Sequence, residues 1–219
     1  YGFRFKCIRP PADVDVVMMS PRAMGVTVRE TFVHGKGVPA FVAVGQNFSG
    51  LALKTVLALA KGVGCTRAGV LQCTFEHEAD VNLFGEQALW PLLHQAILLS
   101  YEVLVEEGVP PELVALELYA SGEAGEIFHQ MAVEGMFQQM RYHSPTSQYG
   151  SMSRFQTLPS KEIKQRMRRI LLGIRNGQFA TEWAQEQANG YAYLKKLRRQ
   201  GFRHPINRTE KKLALLRPS

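Results

Sequence analysis

Three short apolar runs rich in β-branched residues mark the first third of the chain. They cover residues 15–19, 38–44 and 69–74, and residues 50–62 between the last two carry leucines at helical intervals. Short apolar strands that alternate with helices are typical of a parallel sheet buried on both faces. This pattern therefore predicts an α/β unit over residues 1–75, built on a parallel, doubly wound sheet.

The character of the sequence changes to helix after Phe75. Residues 82–108 form a long apolar stretch that Pro110 and Pro111 bring to an end. The polar, proline-containing stretch 144–159 is typical of a loop, and the rest of the chain has helical periodicity. The sequence therefore predicts a second, all-helical domain over residues 76–219.

Charge is distributed unevenly along the chain. Residues 161–219 hold 15 Lys and Arg against 4 Asp and Glu, a balance of +11. Apolar residues interrupt this basic tail at helix-like intervals, which indicates helices with one buried and one solvated face. No recognised nucleic-acid-binding motif accompanies it, so we expect no nucleic-acid partner.

The compartment is predicted from two further features. Every long apolar stretch is broken by polar residues before it reaches the ~18 residues of a membrane span, so we expect no membrane partner. The 3 cysteines have no metal or redox spacing, which favours a reducing compartment. We therefore expect a cytoplasmic protein.

Asn82 and Glu86 place two oxygen-bearing side chains four residues apart. On a helix, this spacing puts both on one face, one turn apart. Oxygen ligands suit a hard cation such as Mg²⁺. An ordinary polar helix surface explains the spacing equally well, so both interpretations stay open.

Several motifs of this chain resemble the ketol-acid reductoisomerase family, in the family's order and near its spacing. The motifs that carry the resemblance are Thr66-Arg67-Ala68-Gly69-Val70, Leu83-Phe84-Gly85-Glu86-Gln87, Met140-Arg141-Tyr142, Gly177-Gln178-Phe179-Ala180 and His204-Pro205-Ile206. The resemblance runs over essentially all 219 residues.

The resemblance implies an activity and an assembly. The family couples alkyl migration in a 2-acetohydroxy acid to reduction by NADPH, uses two magnesium ions, and serves branched-chain amino acid biosynthesis. Its members of this length form homodimers through their helical domain. We therefore expect a small acetohydroxy or keto acid as substrate, NADPH and Mg²⁺ as cofactors, and a homodimer.

The resemblance also implies that only part of the cofactor domain lies in this chain. Tyr1-Gly2-Phe3 is similar to a His-Gly-Phe motif late in that domain, and no G-x-G-x-x-G turn occurs in the sequence. Residues 1–75 are then expected to be the C-terminal half of a Rossmann-type parallel sheet. Residues 76–219 would be the all-helical dimerisation and catalytic domain.

Carried over residue by residue, the family pattern is kept in part on the cofactor side. Glu86 stands at a metal-binding glutamate and Asn82 replaces the aspartate before it. Arg22 replaces a lysine, which keeps the charge but changes its geometry. Pro21 and Gly25 match a loop whose backbone lies near the cofactor. The family's catalytic histidine falls on Tyr1.

The second metal helix is more ambiguous. One frame places the later family glutamate on Glu123, the earlier one on Tyr119 and the substrate-binding serine on Ser144. A frame without gaps puts alanines at both metal positions, and Glu117 or Glu126 could substitute in a rotated helix. We take Glu86, Glu123 and Arg22 as the candidate catalytic residues.

Two functions follow from this mixture of kept and changed positions. The first is an NADPH-dependent reductoisomerase or reductase whose Mg²⁺ and NADPH binding is weakened or absent in this chain. The alternative is a non-catalytic paralogue that keeps the fold and the dimer but lacks the two-magnesium site.

Overall fold

The computed structural model describes residues 1–215, which form two compact units. The first unit comprises Tyr1–Glu86 and Leu171–Ala180. The second comprises Gln87–Ile170 and the described residues from Thr181 onward. Each unit is described by itself below.

The first unit is α/β, as predicted. Its strands are β1 (Val16–Pro21), β2 (Ala40–Gln46) and β3 (Val70–Gln72), and its helices are α1 (Gly25–Val33), α2 (Ala52–Gly62) and α3 (Phe75–Phe84). Thr74 precedes helix α3 and caps it, because its hydroxyl accepts a hydrogen bond from the His77 backbone N–H.

The three strands form one sheet in the order β1-β2-β3. Strands β2 and β3 are parallel, as predicted. Strand β1 is antiparallel to β2, so the prediction of an all-parallel sheet is wrong for this strand. The physical reason is that a buried strand has the same apolar pattern in either direction, and the pattern alone leaves the direction undetermined.

The core of the first unit lies between the sheet and α2. Ala52, Val56 and Ala60 share one face of α2 at intervals of four residues and are fully buried. Val56 and Ala60 pack with Val38, Ala40, Val42 and Cys65 in one apolar cluster. These small residues let the helix approach the sheet closely.

An ion triad joins three separate segments of the first unit. The Asp80 carboxylate accepts hydrogen bonds from Arg4 at 2.6 Å and from Arg175 at 2.7 Å. Burial raises the pKa of Asp80, but the hydrogen bonds and charges of Arg4 and Arg175 outweigh it, so the net pKa lies below its usual value. This acid therefore stays ionised and fixes the N-terminal segment and the end of a later helix to α3.

The second unit is helical, as predicted. Helices α8 and α9 have residues in both units. Together with these two, the helices of the second unit are α4 (Trp90–Glu106), α5 (Pro111–Ala115), α6 (Glu123–Glu134), α7 (Pro145–Phe155), α8 (Ser160–Arg175), α9 (Gln178–Ala188), α10 (Ala192–Arg203) and α11 (Ile206–Ala214). The loop predicted over residues 144–159 is wrong, because α7 occupies most of it. Pro145 is at the first position of α7, where proline needs no N–H donor, and Ser144 caps the helix.

The core of the second unit joins α4, α5 and α11. Tyr101, Val114, Ala115, Ile206 and Leu213 are its buried members. The Tyr101 hydroxyl and the Thr209 hydroxyl lie 2.8 Å apart in a buried hydrogen bond. That bond satisfies two polar groups that would otherwise be costly to bury.

One continuous helix runs from Phe75 to Glu106 and contains α3, a π-helical turn over Gly85–Leu89, and α4. Its 32 residues are long and apolar enough, by length and composition, to cross a membrane, although an apolar helix of a soluble protein meets the same test. The predicted domain boundary after residue 75 lies at its start, whereas the compact units divide within it at Glu86. Both the domain boundary and the absence of a membrane partner stay predictions.

Candidate functional site

Arg22 lies at the end of β1, where the chain turns toward α1. Its backbone N–H donates to the Pro39 carbonyl at 2.7 Å, next to the last residue pair of β1 and β2. Its guanidinium lies over the Phe41 ring, 5.0 Å from the centroid. The backbone bond and the ring contact together fix where the cation points.

The guanidinium of Arg22 is the centre of a polar cluster in the first unit. It donates to the Ser20 hydroxyl at 3.1 Å, to Glu78 Oε1 at 3.3 Å and to Asn82 Oδ1 at 3.0 Å. The Asn82 amide in turn donates to Glu86 Oε1 at 3.1 Å. We call Ser20, Arg22, Glu78, Asn82 and Glu86 the Arg22 cluster.

Asn82 and Glu86 share one helix face, as their spacing predicts. Glu86 belongs to the π-helical turn Gly85–Leu89, whereas Asn82 is still in α3. Single π-helical turns within α-helices are frequent at functional sites. The structure therefore brings three predicted residues, Arg22, Asn82 and Glu86, into one hydrogen-bonded chain.

Sequence reasoning missed Ser20 and Glu78. The Ser20 hydroxyl donates to Glu78 Oε1 at 2.9 Å, and the Glu78 side chain is only 11% exposed. Glu78 precedes Asn82 by four residues, as Asn82 precedes Glu86, so all three lie along one face. That i, i+4, i+8 spacing was the signal that could have found Glu78.

The Arg22 cluster does not fit a divalent metal ion. The only atom of the Asn82 side chain that could bind a metal is its carbonyl oxygen. That oxygen already accepts a hydrogen bond from the Arg22 guanidinium. A bound ion would face that positive charge directly. Within residues 1–215, no group of three His, Cys, Asp or Glu side chains could hold a metal.

Gly25 and Pro21, the predicted cofactor-binding residues, lie on either side of Arg22. Pro21 ends β1, and Gly25 begins α1. A Cβ atom added at Gly25 would meet nothing within 4 Å, so packing within the chain does not require a glycine there. Gly25 lines a cavity of about 390 Å³ with Val28 and Phe32. Bare backbone beside open space is what close approach by a ligand requires.

Tyr1, which the resemblance aligns with a family histidine, is held by its surroundings in the first unit. Its hydroxyl donates to the Ala180 carbonyl at 3.4 Å, and its ring packs against Phe5. Burial raises the pKa of Tyr1 above its ordinary value. The hydroxyl is therefore a neutral donor rather than a base at neutral pH.

Glu123 and Ser144 belong to the second unit. Glu123 is the first residue of α6, follows Gly122 in the left-handed conformation (φ 94°), and lines a cavity of about 450 Å³ with Glu117 and Ser121. The Ser144 hydroxyl caps α7 by accepting from the Ser147 N–H at 3.2 Å. Its own hydrogen remains available to donate, because the cap uses only the oxygen.

Tyr119 lies in a second π-helical turn, Leu116–Ala120. Its hydroxyl donates to Glu210 Oε1 at 2.6 Å. Burial and then this hydrogen bond raise the pKa of Tyr119 far above its ordinary value. Tyr119 is thus a structural contact to α11 and, as a neutral phenol, no magnesium ligand.

Comparison with known proteins places both units in one family. The profile "Acetohydroxy acid isomeroreductase, NADPH-binding domain" matches residues 1–69, and "Ketol-acid reductoisomerase, C-terminal domain" matches residues 75–219. The two profiles define a class of protein in which an NADPH-binding domain is followed by a helical domain. The chain belongs to the ketol-acid reductoisomerase family.

Individual relatives agree with this assignment. The "Ketol-acid reductoisomerase (NADP(+))" of Pyrobaculum islandicum is 42% identical over 207 residues, 94% of this chain and 62% of that protein. The enzyme of the same name from Methanocaldococcus jannaschii is 36% identical over 97% of this chain and 64% of its own length. The chain therefore spans less than two thirds of these relatives.

A solved structure gives the same fold. An NADH-preferring ketol-acid reductoisomerase from an uncultured archaeon superimposes with a TM-score of 0.91 at 36% identity, covering 100% of this chain and 66% of that one. This agreement confirms the predicted fold class, in which part of a Rossmann-type domain precedes a helical domain.

Proposed function

We propose that the chain takes part in NADPH-dependent isomerisation and reduction of a small 2-acetohydroxy acid, or reduction of a related 2-keto acid. The observation that carries this proposal is the match of both family profiles, in order, to residues 1–69 and 75–219. Such a reaction belongs to branched-chain amino acid biosynthesis in the cytoplasm.

The cofactor site is proposed at the turn between β1 and α1. Its support is the NADPH-binding-domain profile, together with the bare backbone of Gly25 beside a cavity. When bound, the nicotinamide would supply the hydride. NADPH is chosen over NADH because the curated relatives are named for NADP(+), although the solved neighbour is titled NADH-preferring.

Ser144, in the second unit, is a proposed substrate-binding residue. In the first unit, Arg22 is proposed to bind the substrate carboxylate. Arg22 is suited to this role because its side chain is 31% exposed and its guanidinium is held in a fixed orientation by Phe41 and Glu78. Charge-assisted hydrogen bonds from arginine to a carboxylate are short and directional. Glu86 is the proposed acid–base group of the first unit, and Glu123 is that of the second. Mg²⁺ is expected to bind weakly or at one site only, because the Asn82 oxygen already accepts from Arg22.

A homodimer through the helical unit is the proposed assembly. Its support is the large apolar surface that α4 exposes. The exposed apolar residues of this helix are Trp90, Leu99, Val103 and Leu104. Apolar side chains exposed on several sides of one helix indicate an interface in a soluble protein. Light scattering at micromolar concentration should give twice the 24.6 kDa chain mass. Partition into lipid vesicles instead would favour a membrane role.

The activity is tested by offering the protein two substrates with NADPH and Mg²⁺. One is a 2-acetohydroxy acid, which requires alkyl migration before reduction, and the other is the isomerised 3-hydroxy-2-keto acid, which requires reduction only. We expect slow NADPH oxidation with both, because NADPH and Mg²⁺ are expected to bind weakly. Turnover of the keto acid alone would restrict the function to a reductase. If the absorbance at 340 nm stays constant with both substrates, the non-catalytic paralogue is favoured. The hydrogen bond from Arg22 to the Asn82 oxygen also supports that alternative.

A further inference from the structure

Three side-chain oxygen atoms surround the guanidinium of Arg22, as oxygen ligands surround a bound metal cation. Ser20, Glu78 and Asn82 each present one oxygen to its two terminal nitrogens at 3.0 to 3.3 Å. These acceptors come from β1 and α3 and are held by a further bond between Ser20 and Glu78. The oxygen cage therefore exists around a positive charge that the chain itself supplies.

The side chain of Asn82 is oriented by both of its neighbours. Its oxygen faces the Arg22 cation and its nitrogen faces the Glu86 carboxylate, so the amide offers each partner the group it needs, an acceptor and a donor. An aspartate here could accept from Arg22 but would repel Glu86. A divalent ion would need the same oxygen and would be repelled by the guanidinium.

We propose that Arg22 and Asn82 act as a pair that replaces a divalent cation at the Asn82–Glu86 turn. The guanidinium supplies the fixed positive charge, and the amide links it to Glu86 without a metal. Three hydrogen bonds do not use all the N–H groups of an arginine, so donors remain for a ligand oxygen. The ligand class for this site is a small carboxylate anion.

The inference rests on the proposed function only for the identity of that anion. The replacement of the metal is tested by a direct readout that needs no turnover. Mn²⁺ is the probe, because the electron paramagnetic resonance signal of the free aquo ion falls as the ion binds to protein.

The experiment titrates Mn²⁺ into four forms of the chain. The wild-type protein should bind Mn²⁺ no tighter than millimolar, and Asn82→Asp alone should improve this less than about threefold, because Arg22 pairs with the new carboxylate. The double variant Arg22→Ala with Asn82→Asp should bind at least tenfold more tightly than Asn82→Asp alone. The matched control is Arg29→Ala with Asn82→Asp, which removes an exposed arginine of α1 and should bind like Asn82→Asp.

Three results would overturn the proposal. The first is that the wild-type protein binds Mn²⁺ at micromolar concentration and that Glu86→Gln abolishes this binding. This measurement requires no substitution that destabilises the fold. A second is equal affinity of the two double variants, which would make net charge rather than the position of Arg22 decisive. A third is no gain in the Arg22→Ala double variant when its thermal melt shows that it is folded. If it does not fold, Arg22→Gln with Asn82→Asp replaces it under the same expectations.

Discussion

Arg22 donates a hydrogen bond to the side-chain oxygen of Asn82 across 3.0 Å, although 60 residues separate them in the sequence. By the family resemblance, a lysine and an aspartate are expected at these two positions. In the structure the two departures are in direct contact. Glu78 already pairs with the guanidinium, so the neutral amide of Asn82 leaves the cluster with a single net negative charge, that of Glu86.

Replacing Asp80 by Asn should destabilise the first unit strongly. The Asp80 side chain is 11% exposed, and its carboxylate accepts from both Arg4 and Arg175. Losing one partner of a buried ion pair costs about 3 kcal/mol or more. The matched control is Arg175→Ala, which removes a partner whose side chain is 58% exposed and should cost about 1 kcal/mol or less. Urea unfolding of the variants measures both, and equal losses would contradict the burial argument.

The Asp80 triad should also make the free energy of unfolding depend on pH in the acid range. The folded pKa of Asp80 lies below the ordinary value of 3.8, so its contribution is present above that value. As the pH falls below 3.8, the unfolded chain takes up the proton first, and the contribution is lost as the pH falls through the folded pKa. Unfolding free energies between pH 6 and pH 2 should therefore fall less steeply in Asp80→Asn than in the wild type. Parallel curves would rule out this linkage.

Alanine at Gly25 should leave the fold intact but weaken NADPH binding. The added Cβ meets nothing within 4 Å, and alanine favours a helix over glycine by about 1 kcal/mol. At Gly37, by contrast, the same Cβ would lie 2.1 Å from the Gly64 carbonyl oxygen, so Gly37→Ala should lower the melting temperature markedly. Thermal melts with and without NADPH separate the two effects. An unchanged ligand-induced shift in Gly25→Ala would remove this residue from the cofactor site.

Ser144 should have a capping role and a substrate role that can be separated. Ser144→Ala removes the cap of α7 and should cost about 1 kcal/mol, whereas Ser144→Asn keeps a capping oxygen. If the hydroxyl also binds substrate, both variants should raise KM, but only alanine should lower stability. A normal KM in Ser144→Asn would leave the cap as the sole role.

A charge in the exposed apolar surface of α4 should dissociate the proposed homodimer. Leu99 is 49% exposed in the single chain, and Leu99→Glu would place a carboxylate in the interface. Leu59→Glu is the matched control, because Leu59 is equally exposed but lies on α2 of the other unit. Light scattering should give the monomer mass for Leu99→Glu alone. A dimer in both variants would move the interface elsewhere.

The division into an α/β part and a helical part was predictable from the sequence. Hydrophobic periodicity reports which face of an element is buried, and it correctly indicated α2, β2 and β3. It also placed Asn82 and Glu86 on one face, because their spacing is a local property of a helix. The helix α7 was missed because Pro145 suggests a loop, although proline is favoured at a first helical position.

The direction of β1 and the composition of the Arg22 cluster were decided only by the tertiary structure. An apolar strand has the same pattern in both directions, so the antiparallel pairing of β1 with β2 depends on how the chain returns through α1. Local spacing, likewise, cannot show that Arg22 reaches Asn82 and Glu78. The sequence by itself determined which side chains share a helix face. The oxygen atoms that surround the guanidinium come from β1 and α3, and these elements meet only when the sheet and α3 pack together.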